Sequence, residues 1–213
     1  MAVYILVAII AYAIGSVNFS IIFSKKFAGF DVREKGSGNA GTTNMLRTTS
    51  KGLAALTLIC DILKGIVAVL VAYLIGKIAT EVNPEILVQI AGVFAVIGHT
   101  FPVYFGFKGG KGVATSLGIL LLINWQIGLI CLVFALLVMA LTKMVSLGSI
   151  MAAILFPVLT LFIAVDESSH YLVKEGNYVV FGIVMAIIVI FNHRANLARI
   201  LKGEENKLSF KKS

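Results

Sequence analysis

Charge is what this chain has least of. Aspartate, glutamate, lysine and arginine make up 13% of its 213 residues, against 59% hydrophobic, and the mean hydropathy is +1.00. No water-soluble fold of this length buries so much apolar surface, which excludes an ordinary globular domain. Cysteine is nearly absent. Cys60 and Cys131 both fall inside apolar runs, which disfavours a disulfide framework or zinc site and leaves core packing. A basic region and a small-residue cleavage site are missing around the first apolar run, Tyr4 to Phe23, so it reads as a retained helix rather than a leader. The P-loop spacing is also absent, so nucleotide hydrolysis is not supported.

What is present is a series of apolar runs near the length that crosses a bilayer, roughly 20 residues each. They predict an all-α, polytopic membrane bundle forming one domain over 1–213, with no separate polar domain or repeat. Helices are expected at Tyr4–Phe23, Leu53–Ile75, Ile86–Val103, Val113–Ile123, Trp125–Leu141, Ser149–Val165 and Tyr178–Phe191. The fourth is short. Joining it to the fifth would make one helix from Val113 to Leu141, too long without strong tilt.

Charge placement chooses between the two. With seven spans, fifteen of the 18 lysines and arginines fall on one side, which the positive-inside rule makes cytoplasmic. The N-terminus is then outside and the C-terminus inside. Lys77 and Lys174 lie opposite, and Lys64 sits within the second span beside Asp61. These two are three residues apart and can pair along one helix face, as a structural brace or as a functional pair. His170 falls in an outer loop and reads as solvated.

Three polar clusters gather on the basic side. The first, Glu34 to Asn44, reads EKGSGNAGTTN and is followed by Arg47. Its glycines permit tight turns. Ser37, Asn39, Thr42, Thr43 and Asn44 offer small polar groups, and Arg47 a planar fork that fits phosphate. The bland alternative is a flexible polar loop. The second cluster, GHTFPVYFGFKGGKGVAT at 98–115, sets Lys108 and Lys111 among Gly109, Gly110 and Gly112 ahead of a helix start. Inward-turned glycine amides, a helix N-terminus and lysine charge would cradle an anion. A basic turn touching lipid head groups would not need so many glycines. His99 at its edge is a ligand or a helix-end cap.

The third cluster is Asn192-His-Arg-Ala-Asn-Leu-Ala-Arg199 and its continuation to Glu205. If the last helix continues, Asn192, Asn196 and Arg199 form one stripe with His193 a step away, joining an amide, an imidazole and a guanidinium. A basic surface helix is the alternative. Ser146, in the loop 142–149 on the same side, is within range of a shared pocket.

In order, spacing and placement, these segments resemble the three motifs of the PlsY family of bacterial acyl-phosphate:glycerol-3-phosphate acyltransferases: GSGNAGTTN at 36–44, the 98–115 segment, and HRANLARILKGEE at 193–205. Thr42 stands where alanine is common in that family. The resemblance implies transfer of a fatty acyl group from acyl phosphate to the 1-hydroxyl of glycerol 3-phosphate, the first acylation of phospholipid synthesis. It further implies no cofactor, no metal and no nucleic acid, no obligate protein partner, and a cytoplasmic-face site in the bacterial inner membrane. Catalytic residues would be His193, Asn196, Ser37 and Arg47. Substrate ligands would be Asn39, Thr42, Thr43, Asn44, Lys108, Gly109, Gly110, Lys111, Gly112 and Ser146, with His193 or a donor phosphate oxygen as proton acceptor.

The residues agree with that chemistry. Two phosphates need neighbouring anion sites, while an acyl tail needs lipid. An acyl phosphate already carries a good leaving group, so positioning and charge neutralisation matter more than a covalent nucleophile. The histidine–aspartate dyad of acyl-CoA-dependent glycerolipid acyltransferases is missing: five residues after His99, His170 and His193 come Tyr104, Glu175 and Ala198. Two rivals from other classes remain. A transporter of organic phosphates would place polar groups through the midplane with an internal repeat. A structural membrane subunit would not need the ordered polar trio.

Overall fold

The computed structural model describes residues 1–163 and 178–208; His170, Lys174 and the acidic residues of that outer loop lie outside them. Helices dominate, with no strand among the described residues. They are α1 (Ala2–Ser16), α2 (Phe19–Phe23), α3 (Thr42–Thr48), α4 (Lys51–Ile78), α5 (Pro84–Thr100), α6 (Val113–Ile123), α7 (Trp125–Thr142), α8 (Val145–Phe162), α9 (Val179–Asn192) and α10 (Arg194–Leu201).

Polar residues mark where the helices begin. Asn18 breaks the first span: its side chain caps α2 through the Ile21 amide at 3.2 Å, and Val17 turns extended. Ser50, Asn83 and Asn124 cap α4, α5 and α7 in the same way, with Pro84 at the first position of α5.

Helices α1, α4, α5 and α6 form the tighter half. Glycine lets their backbones touch: a Cβ on Gly15 would lie 2.1 Å from Ala95 O, and one on Gly118 2.1 Å from Ile62 O. Val69, Leu87, Val88, Ala91 and Ile119 fill the space between. Helix α8 packs between α7 and α9, with Phe156 edge-on to Phe181 at 6.0 Å. Outward faces stay apolar and exposed, as Val133, Leu136 and Leu137 do on α7, which suits lipid.

Among the described residues, five helices are long and apolar enough to cross a membrane, taking residues 2–28 as one, with a sixth if the α9–α10 pair, bent by 64°, is counted as one span. Helix α6 has only 11 residues. Its flanks nevertheless reach both ends of α9. Asn192 donates to Lys111 O at 3.4 Å, and Asn124 donates to the Tyr178 hydroxyl at 2.9 Å. Two local expectations change. Thr42 to Thr48 is a helix rather than loop, and Ser146 belongs to the first turn of α8.

Candidate active site

The three polar clusters meet. One cavity of about 620 Å³ is lined by Ser37, Asn39, Thr42, Thr43, Asn44 and Arg47, by Lys111 and Gly112, by His193, Asn196 and Arg199, and by Ser146 and Glu205. Its other wall is apolar, built from α6 to α9 by residues such as Leu120, Leu132, Ala135, Phe156, Met185 and Ala186. A polar mouth therefore opens onto an apolar slot between helices.

In the first cluster, Asn44 does not act as a free ligand. Its amide donates to Val32 O (2.8 Å) and Lys35 O (3.0 Å), and its oxygen accepts from the Ser37 amide (2.8 Å). Both donors are used, so Asn44 shapes the loop that presents Ser37. Arg47 lines the cavity, and none of the ion pairs among the described residues involves it. Arg33, unnoticed in the sequence, ties the first cluster to the second. It grips Asp31 and donates to Phe105 O (2.7 Å) and Lys108 O (3.0 Å). That guanidinium holds the Asp31 carboxyl well below the usual carboxylate range, against the opposing effect of burial.

The second cluster departs from the expected amide cradle. Gly109 N–H bonds to Thr100 O at 3.0 Å and Gly110 N–H to His99 O at 3.1 Å, so both amides satisfy the last carbonyls of α5. Neither glycine lines the cavity, nor does Lys108, which is exposed with its carbonyl held by Arg33. These glycines serve close approach: a Cβ on Gly109 would lie 2.0 Å from His99 O, and one on Gly110 2.1 Å from His99 Nε2. Gly112, at φ +83°, turns the chain into α6, whose first residues Val113 and Ala114 face the cavity. No side chain caps that helix start. The cationic side chains and the helix start that line the cavity around this turn are Lys111, Arg47 and the α6 N-terminus.

The third cluster bends instead of continuing. Helix α9 stops at Asn192, His193 sits at the 64° bend, and α10 follows. Asn192 turns to Thr100 Oγ1 at 3.0 Å. The buried His193 places Nδ1 2.8 Å from Val189 O. A carbonyl only accepts, so Nδ1 carries the hydrogen and Nε2 keeps a lone pair. Lys111 donates to Asn196 Oδ1. Asn196 donates to Glu205 Oε1 (2.7 Å), as does Ser146 (2.9 Å), and Arg199 Nε meets Glu205 Oε2 at 2.9 Å. Burial raises the Glu205 carboxyl, but these bonds outweigh it and hold it below its ordinary value. Burial pushes the Lys111 amine down to about 8. Glu205 pulls it back up, and Arg199 and Arg47 push it down.

The glycerol-3-phosphate acyltransferase family model matches residues 5–203. The chain belongs to that family. It is 40% identical over 209 residues to a glycerol-3-phosphate acyltransferase of Clostridioides difficile, covering 98% of this chain and 97% of the relative. It is 43% identical over 207 residues to one of Mesorhizobium japonicum, covering 97% of each. The crystal structure of PlsY (YgiH), an integral membrane glycerol 3-phosphate acyltransferase, in its glycerol 3-phosphate form, superposes with a TM-score of 0.83 at 32% identity. That match covers 97% of this chain and 96% of the other. Its lysophosphatidic acid form gives 0.80 at 30%, over 97% and 95%. The protein is a multi-pass membrane acyltransferase of PlsY type.

The acyltransferase site holds two features that the sequence signalled weakly. Glu205 had no role assigned beyond closing the third cluster, yet its side chain is 3% exposed and accepts from Ser146, Asn196 and Arg199. Its place at the end of the motif was the available signal. His99 and Asp61 also line the cavity. His99 faces Lys64, whose Nζ lies 2.9 Å from its Nδ1 and 2.9 Å from Asp61 Oδ1.

Proposed function

We propose that this acyltransferase takes its acyl group from an acyl phosphate and transfers it to the 1-hydroxyl of glycerol 3-phosphate. The products are 1-acyl-glycerol 3-phosphate and inorganic phosphate. The single cavity that joins a cationic mouth to an apolar slot carries this reading, because donor and acceptor each need an anion site and only the donor needs a chain site. The two forms in which the solved PlsY relative was determined, with glycerol 3-phosphate and with lysophosphatidic acid, fit an acceptor and a product of this kind. In this reading the chain crosses the bacterial inner membrane seven times, with the N-terminus outside and the basic loops inside, and the mouth faces the cytoplasm; the gathering of basic residues in alternate loops supports it.

Lys111 and the α6 N-terminus hold one phosphate. Arg47, Ser37, Thr42, Thr43 and Asn39 hold the other and neutralise the leaving group. The acyl chain lies among the side chains of α6 to α9. His193 Nε2 accepts a hydrogen bond from the attacking hydroxyl and aims its oxygen at the acyl carbon, while Asn196 orients the glycerol. The new ester C–O bond forms as the acyl C–O bond to phosphate breaks. The hydroxyl proton ends on the released phosphate, directly or by way of His193. No covalent acyl-enzyme and no metal enters this scheme.

Purified protein in lipid, given acyl phosphate and glycerol 3-phosphate, should release lysophosphatidate and phosphate in equal amounts, and should fail with acyl-CoA as donor. Product formation from acyl-CoA alone would overturn the donor assignment.

A further inference from the structure

Beneath the Gly109–Gly112 turn lies an ionic trio that the reaction scheme does not use. Asp61, Lys64 and His99 come from α4 and α5 and are 1%, 5% and 3% exposed. Lys64 Nζ is hydrogen-bonded to His99 Nδ1 at 2.9 Å and to Val17 O at 2.7 Å, and it forms an ion pair with Asp61 Oδ1 at 2.9 Å. The Val17 carbonyl lies beside the break that Asn18 makes between α1 and α2. Because the ammonium donates to Nδ1, the His99 ring accepts there, and its orientation is fixed.

The other edge of that ring is wedged under the turn. A Cβ added to Gly110 would lie 2.1 Å from His99 Nε2 and 2.4 Å from Ala40 O, so ring, turn and first-cluster loop are in direct contact. The turn is also hung from the end of α5 through the Gly110 and Gly109 amides, and Ala40 N–H reaches Gly109 O at 3.4 Å. The next residue after Gly110 is Lys111, whose carbonyl and ammonium are held by Asn192 and Asn196.

Stability does not account for such a group. Replacing a buried ion pair by apolar residues is commonly neutral or stabilising, and ionisable groups inside a membrane are costly. Nor does acid–base chemistry, because the only lone pair of His99 is occupied by Lys64. We propose that Asp61, Lys64 and His99 are positioning residues. Lys64, clamped by Asp61 and Val17, locks the His99 ring, and the ring sets the height of the Gly110–Lys111 turn and hence the place of the Lys111 ammonium. This rests on the reading of Lys111 as a phosphate ligand.

The test is the kinetics of His99→Leu, His99→Asn and the charge-neutral pair Asp61→Asn/Lys64→Met, each in lipid with saturating acyl phosphate. Transfer by the wild type checks the reaction itself, and only the variants check the trio. His99→Leu should raise KM for glycerol 3-phosphate about tenfold or more while kcat stays within about threefold, and the inhibition constant for inorganic phosphate should rise by the same factor. His99→Asn, which restores an acceptor near the Nδ1 position, should recover most of that loss. The charge-neutral pair should behave like His99→Leu. An unchanged KM, a loss confined to kcat, or no rescue by asparagine would overturn the proposal. Failure of both His99→Leu and the charge-neutral pair to yield folded protein would do so too, because it would assign the trio to the fold alone.

Discussion

The sharpest consequence of the site concerns pH. In the proposed scheme Lys111 binds phosphate as an ammonium, yet its surroundings bring its pKa from the ordinary 10.5 to about 8. Burial is the main cause, and the nearby Arg199 and Arg47 add to it. For the free enzyme, kcat/KM for glycerol 3-phosphate should be flat between pH 7 and 7.5, then fall as the amine loses its proton. With a pKa of about 8, the loss relative to the plateau is about twofold at pH 8 and roughly tenfold at pH 9. The sign for folding is opposite. The folded state releases the Lys111 proton at lower pH than the unfolded chain, so between about pH 8 and 10 this group makes the fold more stable as pH rises. Activity and melting temperature should therefore diverge over that window, which separates titration of Lys111 from alkaline unfolding. Glu205→Gln keeps an acceptor for Asn196 but removes the negative charge that lifts the lysine, so the fall in kcat/KM should begin at lower pH. Initial rates in lipid nanodiscs from pH 7 to 9.5, with melting followed in the same buffers, measure both. A profile flat to pH 9.5, or one that Glu205→Gln leaves in place or moves upward, would refute the assignment.

Three further outcomes follow from the geometry. Glu205→Ala leaves the buried donors of Ser146 and Asn196 without a partner while Arg199 rehydrates, a cost of about 2–4 kcal/mol that a lowered melting temperature should register. Ala186 lines the slot between α8 and α9, so Ala186→Phe should obstruct it and cut kcat/KM for a long-chain acyl phosphate about tenfold more than for a short-chain one, measured by competition. Asn44→Asp replaces an amide that donates to Val32 O and Lys35 O by a carboxylate that repels both. It should lower kcat and stability together, and an unaltered melting temperature with normal turnover would show that the loop does not depend on it.

The bundle was legible because hydropathy is a long-range average. Each expected apolar run is helical among the described residues, although Asn18 breaks Tyr4–Phe23 in two, since a run of apolar residues in lipid has one way to satisfy its backbone. The convergence of the three clusters was legible from charge bias and motif order. What glycine does was not. In sequence, Gly109 and Gly110 signal an anion cradle and a close backbone approach equally well, and only the positions of His99 O and Nε2 decide for the approach. Asn44 and Asn196 look alike as motif amides. One folds a loop and the other faces Lys111, a difference fixed by partners 7 to 85 residues away in the chain. The bend at His193 was hidden because no proline or glycine announces it; its ring instead turns back to Val189 O.

Glu205 then poses a question that charge counting answers. A carboxylate in a phosphate-binding cavity should repel its ligand. The Glu205 oxygens are already taken up, however, by Ser146, Asn196 and Arg199, and Lys111 donates to the same Asn196. In that place Glu205 neutralises Arg199, which would otherwise drive the Lys111 proton off, and it pulls the Lys111 pKa upward itself. Without it, burial and two guanidinium groups would lower the Lys111 pKa further, leaving less of the charged form to meet a phosphate. Glu205→Lys should consequently abolish phosphate binding although it adds positive charge to an anion site, and tighter inhibition by inorganic phosphate in that variant would contradict this account of the cavity.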